Sequence, residues 1–384
     1  MTSRLTLPDF RLEVYLGQWE FSARHHLAAS DAQTLTIREL LEMASDEERD
    51  AFEELPLSYT PVRGGENLLR AIASTYEAAG AEDILAFAGA EEAIFWAMQE
   101  LVGPGDHAVL TAPNYQSMES VTVATGAEVS GILLRAETGW ALDLNELERL
   151  LRPNTRLVAV NFPNNPTGGL VPPADFRRLA ALCEERGIRL LSDEVYRGLE
   201  LDPGRTLPQA ADLSPTAISV NVMSKAYGLP GLRIGWVASR DRALLERLER
   251  RKHYTSICNS APSELLAAVA LRNGEAICTR NRHIIDANLP VFDAFFARHQ
   301  DLFEWEHPTG GCVCFPRYLG EEGVEDFCHR LVDEGGVVLL PASIFSSVLA
   351  EVPGDRFRIG VGRSDPEAAL TAFEEFLARS PAVR

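Results

Sequence analysis

The chain contains no apolar run long enough to span a bilayer, and its opening stretch, Met1 to Asp9, lacks the long apolar core of a signal peptide. Both absences lead us to expect a cytoplasmic protein. Positive charge is scarce: 36 Lys and Arg stand against 56 Asp and Glu, a formal net charge of -20. That balance excludes the basic footprint which nucleic acid or an anionic membrane surface requires. Cysteine is sparse too. Cys183, Cys258, Cys278, Cys312, Cys314 and Cys328, spread over 384 residues, make no dense disulfide framework. Neither the Cys312 and Cys314 pair nor the adjacent His25 and His26 has the second close pair that a zinc site needs, so no metal is expected. Low-complexity linkers and internal repeats are missing as well. What is left, 46% hydrophobic and 24% charged residues, is the composition of a soluble globular protein large enough for more than one core.

Strand-like and helix-like runs alternate from residue 84 to residue 238, with β-rich stretches at 84–87, 107–111, 128–134, 156–162, 188–191 and 217–222. This is the pattern of a doubly wound parallel sheet, which collects function on the loops at its strand ends. Helical sequence precedes it at 35–51 and 66–78, and follows it at 242–252 and 263–272. From about residue 289 the pattern becomes α+β, with a helix at 292–299, strands near 311–315, 337–340 and 356–361, and a last helix at 366–379.

The stretch that organises the chain is Ser224-Lys225-Ala226-Tyr227-Gly228-Leu229-Pro230-Gly231-Leu232-Arg233-Ile234-Gly235-Trp236. Lys225 follows a β-rich run and precedes glycines and a proline, so its amine projects from a strand end into a loop-built cleft. An amine partly desolvated there loses its proton near neutral pH and forms an imine with a carbonyl, while Arg233 offers a forked cation to a phosphate. Imine former and phosphate clamp together point to pyridoxal phosphate. A second anion site lies upstream, where strand 84–87 passes through Gly89, Ala90 and Glu91 into a helix whose free N–H groups cradle a phosphate.

The lysine segment closely resembles that of class I/II aminotransferases, the fold-type-I pyridoxal-phosphate enzymes. The resemblance implies an α/β fold: a large domain with a mostly parallel seven-stranded sheet over 56–288, an α+β small domain over 289–384, and an N-terminal arm, 1–55, joining the small domain. It also implies roles. Tyr59, in Leu57-Ser58-Tyr59-Thr60-Pro61-Val62-Arg63-Gly64-Gly65, matches the tyrosine that crosses a homodimer interface to the neighbouring phosphate. Tyr115, after Pro113-Asn114, stacks on the cofactor ring. Asn165, in Asn164-Asn165-Pro166-Thr167-Gly168, and Tyr196, in Asp193-Glu194-Val195-Tyr196, hydrogen-bond the phenolic oxygen. Asp193 keeps the pyridine nitrogen protonated so that the ring draws electrons from the bond broken at Cα. Ser224 is left as the hydroxyl beside the lysine, since Val222 stands where relatives carry a phosphate-binding serine or threonine. Arg358, in Arg356-Phe357-Arg358-Ile359-Gly360, clamps the substrate α-carboxylate, and Arg356 and Arg363 are expected as solvated strand ends.

The arm departs from the family. Its Gly-Glu-Pro-Asp-like segment is absent and Ala28-Ala29-Ser30-Asp31-Ala32 stands in its place. Glu20 and Asp31 are therefore expected to recognise a cationic or polyhydroxylated side chain. The resulting expectation is an aminotransferase that uses Lys225 as imine former and proton carrier, acting on an α-amino acid with a 2-oxo acid as second substrate. The alternative is a non-transaminating pyridoxal-phosphate enzyme: a carbon–sulfur lyase, a decarboxylating or oxidative deaminase, or an arginine-handling oxidase or cyclase.

Overall fold

The computed structural model describes residues 6–379. Its centre is a seven-stranded sheet of β1 (Ile84–Phe87), β2 (His107–Ala112), β3 (Glu128–Leu133), β4 (Thr155–Asn161), β5 (Arg189–Asp193), β6 (Ile218–Val222) and β7 (Gly235–Ala238). The spatial order is β1-β7-β6-β5-β4-β2-β3, and only β7 runs antiparallel to its neighbours. Strands β1, β2, β6 and β7 are buried along their whole length, as a sheet covered on both faces requires; the sheet's exposed residues are Glu128, which opens the edge strand β3, and Arg156 in β4.

Side-chain alternation divides each strand between two cores. Leu85 and Phe87 of β1, with Leu110, Leu157 and Val220, pack under the helices Ala90–Leu101 and Arg242–Lys252. Ile84 and Ala86 face the other way and meet Trp236, whose indole N–H donates to the Tyr76 hydroxyl at 3.0 Å, and the helix Ala261–Arg272.

The C-terminal part is built on three short antiparallel strands in the order Val313–Cys314, Phe357–Gly360, Leu340–Pro341, covered by an aromatic cluster of Phe303, Phe327, Phe357 and Phe373. The arm joins it. His25–His26 pairs in parallel with Val337–Val338, and Gly360 N–H donates to Leu27 O at 2.6 Å. A Cβ on Gly360 would lie 2.0 Å from Ala29 O, so glycine there is what lets the arm lie against the strand.

Two helices differ from expectation. The single helix expected over 35–51 is divided into Ile37–Glu42 and Asp46–Glu53. Ser45 caps the second, accepting from Glu48 N–H while Glu48 reaches back to Ser45 N–H, a reciprocal pair that starts a new helix. The helix expected at 292–299 is the end of one long helix, Gly274–Arg298, which carries the chain across the expected division at 288. No helix among the described residues is long and apolar enough to cross a membrane.

Candidate active site

A cavity of about 860 Å³ opens at the carboxyl ends of β4, β5 and β6, where Asn161, Asp193 and Val222 reach its floor, and the arm forms its roof through Leu12, Leu16, Glu20 and Ser30. This is where an open α/β sheet places its ligands.

Lys225 leaves the end of β6 in a tight turn, its carbonyl accepting from Gly228 N–H at 3.1 Å and from Ala32 N–H of the arm at 3.2 Å. Its amine donates to Ser30 Oγ at 2.8 Å. Burial holds the amine below the ordinary lysine pKa, and the Arg358 charge acts in the same direction against Asp31, Cys312 and Asp193. Asp193 is also buried, and burial pushes its carboxyl up to about 7 despite a hydrogen bond from Val195 N–H and the Lys225 charge. Tyr196 is 1% exposed, burial pushes its hydroxyl pKa up, and the Ser30 hydroxyl is the polar side chain beside it, although no hydrogen bond of good geometry joins the two. Asn165 is fixed by its backbone N–H donating to Asn161 Oδ1 at 2.8 Å, and its own Oδ1 accepts from Arg358 Nη1 at 3.0 Å. Arg358, 1% exposed, also donates to Ala28 O at 2.8 Å, and its Nε–H is unpartnered.

At the other end of the wall, Gly89 has φ +103° just before the helix Ala90–Leu101, and a Cβ on it would lie 2.5 Å from Arg233 Nη2. Glycine thus lets the guanidinium share one pocket with the helix N-terminus. Ala90, Glu91, Ser224 and Arg233 line the cavity. Glu92 turns outward to accept from Ala88 N–H and Ser256 Oγ. Glu91 does not turn away: it stays in the wall, bonded to Ser117 Oγ at 2.6 Å, with its second oxygen unpartnered. Tyr115, also in the wall, packs against Phe10 of the arm at 5.2 Å between ring centres.

Glu20 lines the mouth. Asp31 is buried and its carboxylate accepts from Arg363 Nη2 at 2.7 and 2.8 Å. This corrects the expectation for Arg363, which is a wall residue paired with the arm and not a solvated strand end. Arg356 likewise packs over Trp140, 5.0 Å from its ring, and donates to Phe315 O. Tyr59 is 90% exposed and lies outside the cavity wall of its own chain. Sequence reasoning assigned no role to Ser30, Glu13, His26 or Asn161, which all line the cavity. Only Asn161 carried a signal, as a polar residue near the end of an apolar strand.

A cofactor with an aldehyde, a phosphate and a pyridine nitrogen requires an amine of lowered pKa, an anion cradle and a buried carboxylate. The cavity presents Lys225, the Gly89 turn with Arg233, and the buried carboxyl of Asp193, so its residues fit pyridoxal phosphate. Comparison with known proteins agrees. Residues 26–373 match the model of the family "Aminotransferase class I and II". The chain is 33% identical over 97% of its length, and 94% of the relative's, to the capreomycidine synthase of Streptomyces vinaceus. It is 36% identical over 75% of its length, and 74% of the relative's, to the arginine–pyruvate transaminase AruH of Pseudomonas aeruginosa. The structure superposes on a pyridoxal-phosphate-dependent aminotransferase from Streptococcus suis with a TM-score of 0.89 at 30% identity, covering 97% of this chain and 98% of that one. The chain belongs to the class I and II aminotransferases and uses pyridoxal phosphate to act on an α-amino acid.

Proposed function

We propose that the protein is a cytoplasmic homodimer of amino-acid biosynthesis that transaminates an amino acid with a cationic side chain, with a 2-oxo acid as acceptor. The observation that carries this reading is the charge layout of the cavity. Arg358 is a fully buried guanidinium with no carboxylate partner among the described residues, whereas Glu13, Glu20 and Glu91 line the same cavity. A buried unpaired cation is costly, and a substrate α-carboxylate relieves that cost. The acids favour a positively charged side chain in the same molecule, as an arginine carries. Asp31, held by Arg363, shapes the wall beside it.

Pyridoxal phosphate, when bound, supplies an electron sink for the bond broken at Cα. The chain's residues do the rest. Gly89, Ala90 and Glu91 offer backbone N–H groups, and Arg233 its guanidinium, to the phosphate; Ser224 adds a hydroxyl beside Lys225. Asp193 holds the proton at the pyridine nitrogen, and pairing with it favours the carboxylate against the upward push of burial. Tyr196 and Asn165 would bind the phenolic oxygen, and Tyr115 would pack on the ring. Lys225 Nζ is the amine that would hold the cofactor's aldehyde and, once released, would move the Cα proton; its lowered pKa provides the neutral amine that both tasks need. Tyr59 is offered to a partner's phosphate. Its 90% exposure, next to Leu57 at 86%, supports an interface at that loop.

Product analysis tests the reading. Arginine, lysine, leucine and phenylalanine are offered with and without pyruvate. The reading predicts 2-oxo products only with pyruvate present and a preference for arginine or lysine; a preference for leucine or phenylalanine contradicts it. A non-transaminating reaction is the second reading, supported by the 33% identity to a synthase over 97% of the chain. Consumption of many equivalents of the amino acid with no pyruvate added identifies it.

A further inference from the structure

Ser30 lies on the arm, in no motif, and its hydroxyl oxygen accepts a 2.8 Å hydrogen bond from Lys225 Nζ, 195 residues away in the chain. We propose that Ser30 is a further catalytic residue, which holds the free Lys225 amine in the position from which it exchanges a proton with the substrate α-carbon. The inference rests on the reading of Lys225 as the imine-forming lysine.

The backbone that carries Ser30 is fixed on every side. Leu27 O accepts from Gly360 N–H at 2.6 Å and Ala28 O from Arg358 Nη2 at 2.8 Å. Ser30 O accepts from Cys312 Sγ at 3.3 Å, and the Asp31 carboxylate is held by Arg363. Ala32 N–H donates to Lys225 O at 3.2 Å, so the arm grips the backbone of the lysine as well as its amine. With the main chain held in this way, only rotation about χ1 is left to move the hydroxyl, and the contact is a built one.

A hydroxyl suits this place because it is neutral. A carboxylate against the amine would strongly favour the ammonium form and oppose the effect of burial. A serine oxygen accepts one N–H, adds no charge and leaves the nitrogen lone pair free to take up a proton. Among the described residues, this is the one hydrogen bond that orients Nζ. When the amine is free during turnover, Ser30 thus limits its swing without binding its lone pair.

The test compares Ser30→Ala and Ser30→Thr with the wild type as cofactor-loaded enzyme. Loss of one orienting hydrogen bond is expected to lower kcat about tenfold in Ser30→Ala with KM nearly unchanged. The isotope effect with Cα-deuterated substrate should rise, since proton transfer becomes slower relative to the other steps. Ser30→Thr keeps the hydroxyl and should recover most of the rate. A second readout needs no turnover. Capture of pyridoxal phosphate by cofactor-free protein, followed by visible absorbance against pH, reports the neutral amine; deleting an acceptor that weakly favours the ammonium form moves its midpoint to lower pH. An unchanged isotope effect and an unchanged midpoint in Ser30→Ala overturn the proposal, as does a Ser30→Thr variant no faster than Ser30→Ala. A visible imine band retained in Lys225→Ala would instead overturn the reading of Lys225, and the role of Ser30 with it.

Discussion

The floor and the roof of the cavity are built in opposite ways. On the floor, each functional side chain stands at the end of a strand of one sheet: Asn161 closing β4, Asp193 closing β5, Lys225 just beyond β6. Strand register places them, and a few neighbouring residues define each position. The roof comes from the arm, whose contacts join residues distant in the chain: Ser30 with Lys225, Ala28 with Arg358, Asp31 with Arg363. Local sequence therefore encodes the floor and tertiary packing the roof. The lesson is that a position set by strand register is legible locally, whereas one set by the arm's packing is not.

The largest effect expected is on the floor. Lys225→Ala should lower turnover by about 10⁴-fold or more, with the fold intact by circular dichroism, because it removes the imine-forming amine and the proton carrier together. Asp193→Asn should slow turnover on the order of 100-fold while cofactor stays bound, since a neutral amide does not hold the pyridinium proton; a kcat near wild type would show that the floor does not need that charge.

Arg358 links the two regions, standing on the strand Phe357–Gly360 and donating to the arm. Arg358→Lys should raise the amino-acid KM about ten- to a hundredfold, because an ammonium does not reproduce the guanidinium's parallel hydrogen bonds. Glu20→Gln is a pure roof change. With Glu20 exposed at the mouth, we expect a loss of tenfold or less in kcat/KM for arginine and none for leucine. Equal losses for both substrates would mean that the arm does not read side-chain charge.

The smallest effect is on stability. Burial lifts both Asp193 and Glu194 to about 7 in the folded protein, above their unfolded values. Between roughly pH 4 and 7 the folded state of the cofactor-free protein therefore holds more protons than the unfolded state, and stability falls as pH rises through that window and levels off above it. Asp193→Asn removes one of these ionisations and should raise the melting temperature at pH 8 by a few degrees. His26 and His107, whose pKa values burial lowers, act in the opposite direction over part of this window, so the check is the difference between variant and wild type: an Asp193→Asn gain in melting temperature no larger at pH 8 than at pH 4 would contradict the sign.

Legibility followed the same division. Strands buried on both faces read as apolar runs, and Gly89, Asn165, Asp193, Lys225 and Arg233 stand in short punctuated segments, so the sheet and the floor were accessible from sequence. The turn at Ser45 was also written there, as Ser-x-x-Glu, yet the surrounding helical periodicity hid it. The pairing of Arg363 with Asp31 and the placing of Ser30 on Lys225 had no local signal. Each depends on Gly360 letting the arm lie against a strand more than 300 residues away in the chain.

One property of the chain makes the central claim open to a direct test. It contains two lysines, Lys225 and Lys252. Lys252 is buried outside the cavity, donating to Val62 O and Asn259 Oδ1, and burial lowers its pKa to about 8, so it is a real competitor on acidity alone. Reduction of the cofactor-loaded enzyme with borohydride, followed by peptide mass spectrometry, fixes the cofactor to the amine that holds it. The account predicts a pyridoxyl group on Lys225 alone; modification of Lys252, or of neither lysine, would contradict it.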